Sequence, residues 1–216
     1  MGIPRTSKAI SRGLAGLTLA ELLLALLILG VIATFTIPKV LTAQHDSQKK
    51  AVFRETISAL YQVYYQGILE NAFSGMSVAP APSSVIVQTW LNSKINAIKI
   101  CPTDADGEGC FTQPYDGGPL VDDQGGFLLA SKANIVHGGS LCYGACQTAG
   151  GISILMIDYN GAADPNLMGE DQLVVVFVLY DMPVDGSLGE LSGRKAGTAV
   201  TMDAESQQLW NEIFSN

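Results

Sequence analysis

From Leu17 to Ile37 the chain reads LTLAELLLALLILGVIATFTI, and every position but Glu21 is apolar, small or hydroxyl-bearing. The run holds roughly 21 residues, and a helix rising about 1.5 Å per residue carries it about 31 Å, the thickness of a bilayer's hydrocarbon core. A removable secretory signal has a shorter apolar stretch and an A-x-A-like cut site, and neither fits here. Pro38 follows directly and removes a helix hydrogen bond, which predicts a kink there. An acid buried in such a run is costly, about 2.5–3.5 kcal/mol on insertion scales, so Glu21 marks a functional position.

Beyond Pro38 the period changes. From Lys39 to about Ala72, Val52, Phe53, Ile57, Leu60, Tyr61, Tyr64, Ile68 and Leu69 recur at helical spacing, with Gln48, Lys49, Glu55, Ser58, Gln62 and Gln66 opposite them. This predicts that the apolar helix continues as an amphipathic shaft whose inner stripe packs on a sheet. The tyrosines at 61, 64 and 65 read as core rather than as a ligand box. Ser74 to Ser84 is rich in Gly, Pro, Ser and Ala and reads as a loop. A short helix over Val85–Ile98 turns Trp90, Leu91 and Ile95 inward. Residues 101–126 read as loop. Phe127–Ala130, Ile152–Asp158 and Leu173–Tyr180 read as strands, with Thr198–Met202 as a further one. These runs lack clean alternation, which predicts cover on both faces of some strands. Asp203 to Phe214 reads as a closing helix capped by Asp203. The class is α+β.

The chain has 216 residues, a formal net charge of −8 and a mean hydropathy of +0.27. Residues 1–16 carry Arg5, Lys8 and Arg12 and no acid, so the rest is more acidic still. An acidic domain repels nucleic-acid phosphates, and no direct nucleic-acid partner is expected. Basic residues flank the apolar run on both sides, so charge alone does not orient it. The four cysteines, Cys101, Cys110, Cys142 and Cys146, allow three connectivities. Their spacing matches zinc pairs poorly; disulfides fit them if the domain lies outside the cytoplasm, with free buried thiols as the alternative. His45 and His137, the latter in a glycine-rich stretch, read as solvated. Neither belongs to a nucleophile motif, and no phosphate loop, dinucleotide fingerprint or zinc-protease motif occurs, so enzymatic activity is not expected.

The stretch GLTLAELLLALLILGVIATFTIP, Gly16 to Pro38, resembles the N-terminal signature of type IV pilins and type II secretion pseudopilins. In that family a prepilin peptidase cuts after the leader glycine, the new N-terminus is methylated, and a glutamate four residues on is retained. Gly16, Leu17 and Glu21 stand at those positions, and Gly30 and Pro38 match recurrent helix-weakening positions. Leu17 replaces the usual Phe, and Ala20 a bulkier aliphatic residue. The motif covers about a tenth of the chain. A carboxylate among packed apolar helices is penalised alone and neutralised by a neighbour's terminal ammonium, so Glu21 can set the register between subunits.

The resemblance implies a pilin fold, with residues 1–16 a removed leader, 17–38 a transmembrane and polymerisation helix, 39–73 its amphipathic half, and 74–216 an α+β head on an antiparallel sheet. It implies a structural subunit of a type IV pilus-like filament, polymerised with its own kind or with other pilins. It further implies an inner-membrane precursor with a cytoplasmic N-terminus, served by a platform membrane protein and an assembly ATPase, and then an extracellular or periplasmic filament. A type II secretion pseudopilin is the alternative, and a monomeric membrane-anchored binding protein is an alternative of another class. Two acidic stretches remain. Asp104, Asp106 and Glu108 before Gly109 echo the first half of an EF-hand, but Tyr115 holds the twelfth position, so they fit a looser calcium site or a solvated turn. Asp158 to Gln172 resembles a loop frequent in pilin-like proteins. By analogy with the calcium loop of major pseudopilins, Asp158, Asn160, Asp164 and Asp171 are either a calcium site or a loop tied by Asx turns.

Overall fold

Two consecutive apolar runs, GISILMID and QLVVVFVLY, are too short for helices of their own and rich in β-branched residues. They form the paired centre of a six-stranded sheet. The computed structural model describes residues 18–76, 80–102, 109–110, 125–142, 150–161, 167–201 and 203–215, with the backbone alone at 80–82, 139 and 141–142. The strands are β1 (Lys99–Cys101), β2 (Gly126–Leu128), β3 (Asn134–Cys142), β4 (Gly151–Asp158), β5 (Gln172–Tyr180) and β6 (Ala199–Val200). They lie in chain order, each antiparallel to the next. Among the described residues, three α-helices accompany them, α1 (Leu19–Leu69), α2 (Pro80–Lys94) and α3 (Ala204–Phe214), with a short 3-10 helix at Gly186–Leu191.

The chain divides into two compact units at Asp46/Ser47. In the first, the described residues are exposed apart from half-buried Ala33. The hydroxyls of Thr34, Thr36 and Thr42 donate back to the carbonyls of Gly30, Ile32 and Pro38, at 2.7, 2.6 and 3.0 Å. Their polar groups are therefore satisfied inside the helix and tolerate an apolar surrounding. Among the described residues, α1 is the one helix long and apolar enough to cross a membrane, with a window of mean hydropathy 2.4 that is 0% buried.

In the second unit, strand alternation sorts the side chains into two cores. Leu155, Ile157, Leu173, Val175, Phe177 and Leu179 face Phe53, Ile57, Leu60 and Tyr64 of α1, with Val87 and Leu91 of α2 and Leu209 and Ile213 of α3. Ile154, Met156, Val174, Val176 and Val178 form the opposite core with Met182, Leu191 and the Cys101–Cys110 pair. The central strands are thus covered on both faces, as their unbroken apolar runs predict. Tyr64 stacks on Phe177 at 4.5 Å and hydrogen-bonds the Ser153 hydroxyl at 2.8 Å. Gly67 lets α2 approach α1, because a Cβ there would lie 2.5 Å from Phe73 and 2.9 Å from Trp90 Nε1. The Trp90 indole donates to the Val63 carbonyl at 3.0 Å. Leu69, expected on the inner stripe, is exposed. Helix α1 stops there, and Asn71 takes a left-handed conformation (φ 56°), a common way to end a helix.

Asp203 caps α3, accepting from Ser206 N at 2.6 Å. The buried Ser206 hydroxyl in turn accepts from Val174 N at 3.0 Å. β6 is too short to reach that part of β5, so the hydroxyl satisfies an edge amide that burial would otherwise orphan. Arg54 of α1 donates from Nε at 2.7 Å, and also from Nη2, to the Ile213 carbonyl at the far end of α3.

The structure corrects other readings as well. α2 begins at Pro80, inside the stretch read as loop, because a first helical turn needs no N–H and tolerates proline. Lys99–Cys101 forms a strand where none was read, its last residue lying in the 101–126 stretch read as loop. His137 is not solvated: it lies in β3, fully buried, with Nε2 3.0 Å from the Ser140 hydroxyl. The β-bulge between His137 and Gly139 breaks the alternation that would have revealed this strand.

Candidate functional site

Helix α1 starts at Leu19, which makes Thr18 its N-cap and Glu21 its third residue. Glu21 Oε2 accepts from Thr18 N at 2.8 Å and from the Thr18 hydroxyl at 2.9 Å, while Thr18 Oγ1 accepts from Glu21 N at 3.3 Å. This is a reciprocal capping box, and its T-x-x-E signature stands in the sequence as Thr18-Leu19-Ala20-Glu21. The carboxylate also sits at the helix end whose dipole favours negative charge. Gly16 and Leu17 lie outside the described residues. Gly30 is helical, and a Cβ there would meet nothing within 4 Å, so no packing among the described residues explains the glycine. α1 runs through Pro38.

Cys101 and Cys110 form a disulfide with a Cα–Cα distance of 6.0 Å, tying the end of β1 to the segment after it. Both cysteines are buried in the core opposite α1. Cys142 ends β3, and Cys146 lies outside the described residues.

At the β4–β5 end of the sheet, Asn134, Asp158 and Gln172 pair across β3, β4 and β5. All three are buried, as is Asp171 beside them. Asp158 Oδ1 accepts from Asn160 N at 3.1 Å and from Gly161 N at 2.8 Å, and Oδ2 accepts from Gln172 Nε2 at 3.3 Å. Burial pushes the Asp158 pKa up to about 6; the Gln172, Asn160 and Gly161 donors pull it back, and the nearby Asp171 charge adds to the rise. Gly161 turns with φ 65°, and a Cβ there would press on the Lys132 carbonyl at 3.2 Å. Asp171 Oδ1 accepts from Leu167 N at 2.6 Å.

Asp158 and Asp171 are thus brought together, while Asn160 joins them through its backbone N–H. Asp158 accepts from the amide two residues on, an Asx turn, while Asp171 accepts from Leu167 N four residues before it. Asp104, Asp106, Glu108 and Asp164 lie outside the described residues. Among the described residues, no group of three or more His, Cys, Asp or Glu is placed to hold a metal. The sequence reading missed Asn134 and Gln172, polar residues at the ends of apolar strands, and Thr18 as the partner of Glu21.

No protein-family model, curated protein or solved structure matches the chain.

Proposed function

We propose that this chain is a structural subunit of a type IV pilus-like filament with a pilin fold. The precursor is held in a bacterial inner membrane with its N-terminus in the cytoplasm, cut by a prepilin peptidase between Gly16 and Leu17, methylated at Leu17, and polymerised through its N-terminal helix. A platform membrane protein and an assembly ATPase lift it from the bilayer. The filament is extracellular or periplasmic, and the subunit itself does no chemistry.

The observation that carries this reading is the register of Gly16, Leu17 and Glu21 in the sequence, ahead of an apolar run whose described residues are exposed. A segment with exposed Leu22, Leu23, Leu26, Leu27 and Ile28 needs either lipid or other helices around it. Inside such a bundle Glu21 needs a cation, and the terminal amine released by cleavage is the nearest one the chemistry provides. The capping box holds the carboxylate at the first turn of the helix. The α1 stripe packed on an antiparallel sheet, and a disulfide suited to a non-cytoplasmic compartment, are consistent with it.

Glu21→Ala tests the role of the acid. Processing should continue, since the cut lies before the helix, while filament yield seen by electron microscopy should fall at least about tenfold. Normal filaments from Glu21→Ala would remove the register role. The buried Asp158–Asp171 loop favours a second version, in which the filament is a type II secretion pseudopilus. Added millimolar calcium raises the melting temperature in that version if an ion joins the loop, and leaves it unchanged if Asx turns alone hold it.

A further inference from the structure

Strand β1 meets the rest of the second unit through very little of its own surface. In β4 every side chain is buried, and in β5 all but the last. In β1 the one buried residue is Cys101. Ile100 is 39% exposed, and Ile98, just before the strand, is 69% exposed. The apolar side chains that a strand of this composition has for packing therefore face solvent, and a cysteine is the single side chain that β1 gives to a core.

Its backbone pairing is equally brief. β1 stands at the edge of the sheet and pairs with β2 at three positions, Lys99 with Leu128, Ile100 with Phe127 and Cys101 with Gly126. Ile98 N adds one hydrogen bond to the Leu128 carbonyl at 2.8 Å. A ladder this short on an edge does little against the conformational entropy lost in ordering the strand. The seat itself is well shaped. Gly125 takes φ 111°, and a Cβ there would collide with the Cys101 carbonyl oxygen and lie 2.9 Å from the Pro102 carbonyl carbon. The Gly125 carbonyl accepts from His137 N at 2.8 Å, which joins the seat to β3.

Pairing with β2 thus gives β1 its place, and the bond to Cys110 keeps it there. Cys110 lies nine positions on and is buried beside Val136, Met156 and Val176 in the core opposite α1. We propose that β1 is a redox-gated edge strand, seated on β2 while Cys101 and Cys110 are joined and released when they are thiols. Closing the gate needs an external disulfide as oxidant. One cysteine thiolate attacks a sulfur of that disulfide and expels the first thiolate. The other cysteine thiolate then attacks the protein sulfur of the mixed disulfide, forms the Cys101–Cys110 bond and expels the second. The oxidant leaves as two thiols carrying the two protons, and a dithiol reverses both steps. Release of β1 uncovers the outer edge of β2, whose backbone groups become a template for strand addition. An oxidising compartment completes the sheet and a reducing one leaves it open. The gate goes beyond the filament reading and does not depend on it.

The test follows backbone amide exchange by mass spectrometry in the full-length chain in detergent micelles, with and without dithiothreitol. In native buffer the reductant should raise exchange across residues 98–101 about hundredfold, the factor that a disulfide closing a loop of about ten residues contributes. Exchange in β4 and β5 should change less than about threefold, and alkylation should mark Cys101 and Cys110. Cys101→Ala combined with Cys110→Ala should give the same rise without reductant, which separates this pair from Cys142 and Cys146. Should the double substitution cost the chain its fold by circular dichroism, the dithiothreitol result on the parent decides alone. Unchanged exchange across residues 98–101 once the pair is reduced means that pairing alone seats β1, and overturns the gate. A rise as large in β4 and β5, or reduction seen only at denaturant concentrations that unfold the second unit, means that the bond holds the whole core, and overturns it too. So does a rise under dithiothreitol that the folded double variant does not reproduce.

Discussion

The first half of α1 and strands β4 and β5 are equally apolar and meet opposite fates. β4 and β5 are short runs bounded by turns, and every described side chain from Gly151 to Leu179 that belongs to them is buried. The first half of α1 is a longer run without turns, and almost all of it is exposed. Hydrophobicity is the same signal in both, and length together with backbone pairing decides who answers it. A strand can be covered on two faces by one chain, since its neighbours supply the hydrogen bonds and the helices supply the lid. A helix apolar all round presents more surface than one small unit can cover, and the proposed membrane and filament would supply that cover from outside the chain.

The comparison is broken most severely by putting a charge into each region. Val175→Asp in β5 buries an unpaired carboxylate in a closed core and should cost about 4–5 kcal/mol, enough to leave the second unit largely unfolded by circular dichroism. Leu26→Asp in α1 should leave that unit's melting temperature within a degree or two. Its cost, about 2.5–3.5 kcal/mol, should appear instead as lost membrane insertion in a fractionation assay. If Leu26→Asp unfolded the second unit, the outside cover assigned to α1 would be wrong.

A smaller effect sharpens the same contrast from the buried side. Asp158 holds its proton more tightly folded than unfolded, because its folded pKa is raised from 3.8 to about 6. A group of that kind favours folding once protonated. Its contribution therefore grows as pH falls from 7 through 6 and levels off near 4. The melting temperature of the parent should rise relative to that of Asp158→Asn on that descent. A difference independent of pH would mean that the carboxyl titrates normally.

Much of this architecture is legible in the residues because each element obeys one period. The inner stripe of α1, the two central strands and the Asp203 cap of α3 all follow from spacing and turn chemistry. β3 does not, because its His137-Gly138-Gly139 step hides a bulge and leaves an apolar count too low for a strand. β1 is three residues long and gains its place only by pairing with β2. α2 begins on prolines that signal a loop until one counts the amides a first turn leaves idle. At Glu21 the sequence supplies the acid and its register, while Thr18 shows how the side chain is held. Around Asp158 the sequence groups the right acids but not their partners, since Asn134 and Gln172 come from strands that register alone brings together.

The central claim is that a leader is removed so that the bare helix can join others through the amine beside Glu21. Mass spectrometry of the mature protein from a host with its own prepilin peptidase tests it most directly. The first residue should be Leu17, its amine carrying one methyl group. A chain that keeps Met1, or that starts anywhere but Leu17, contradicts the account.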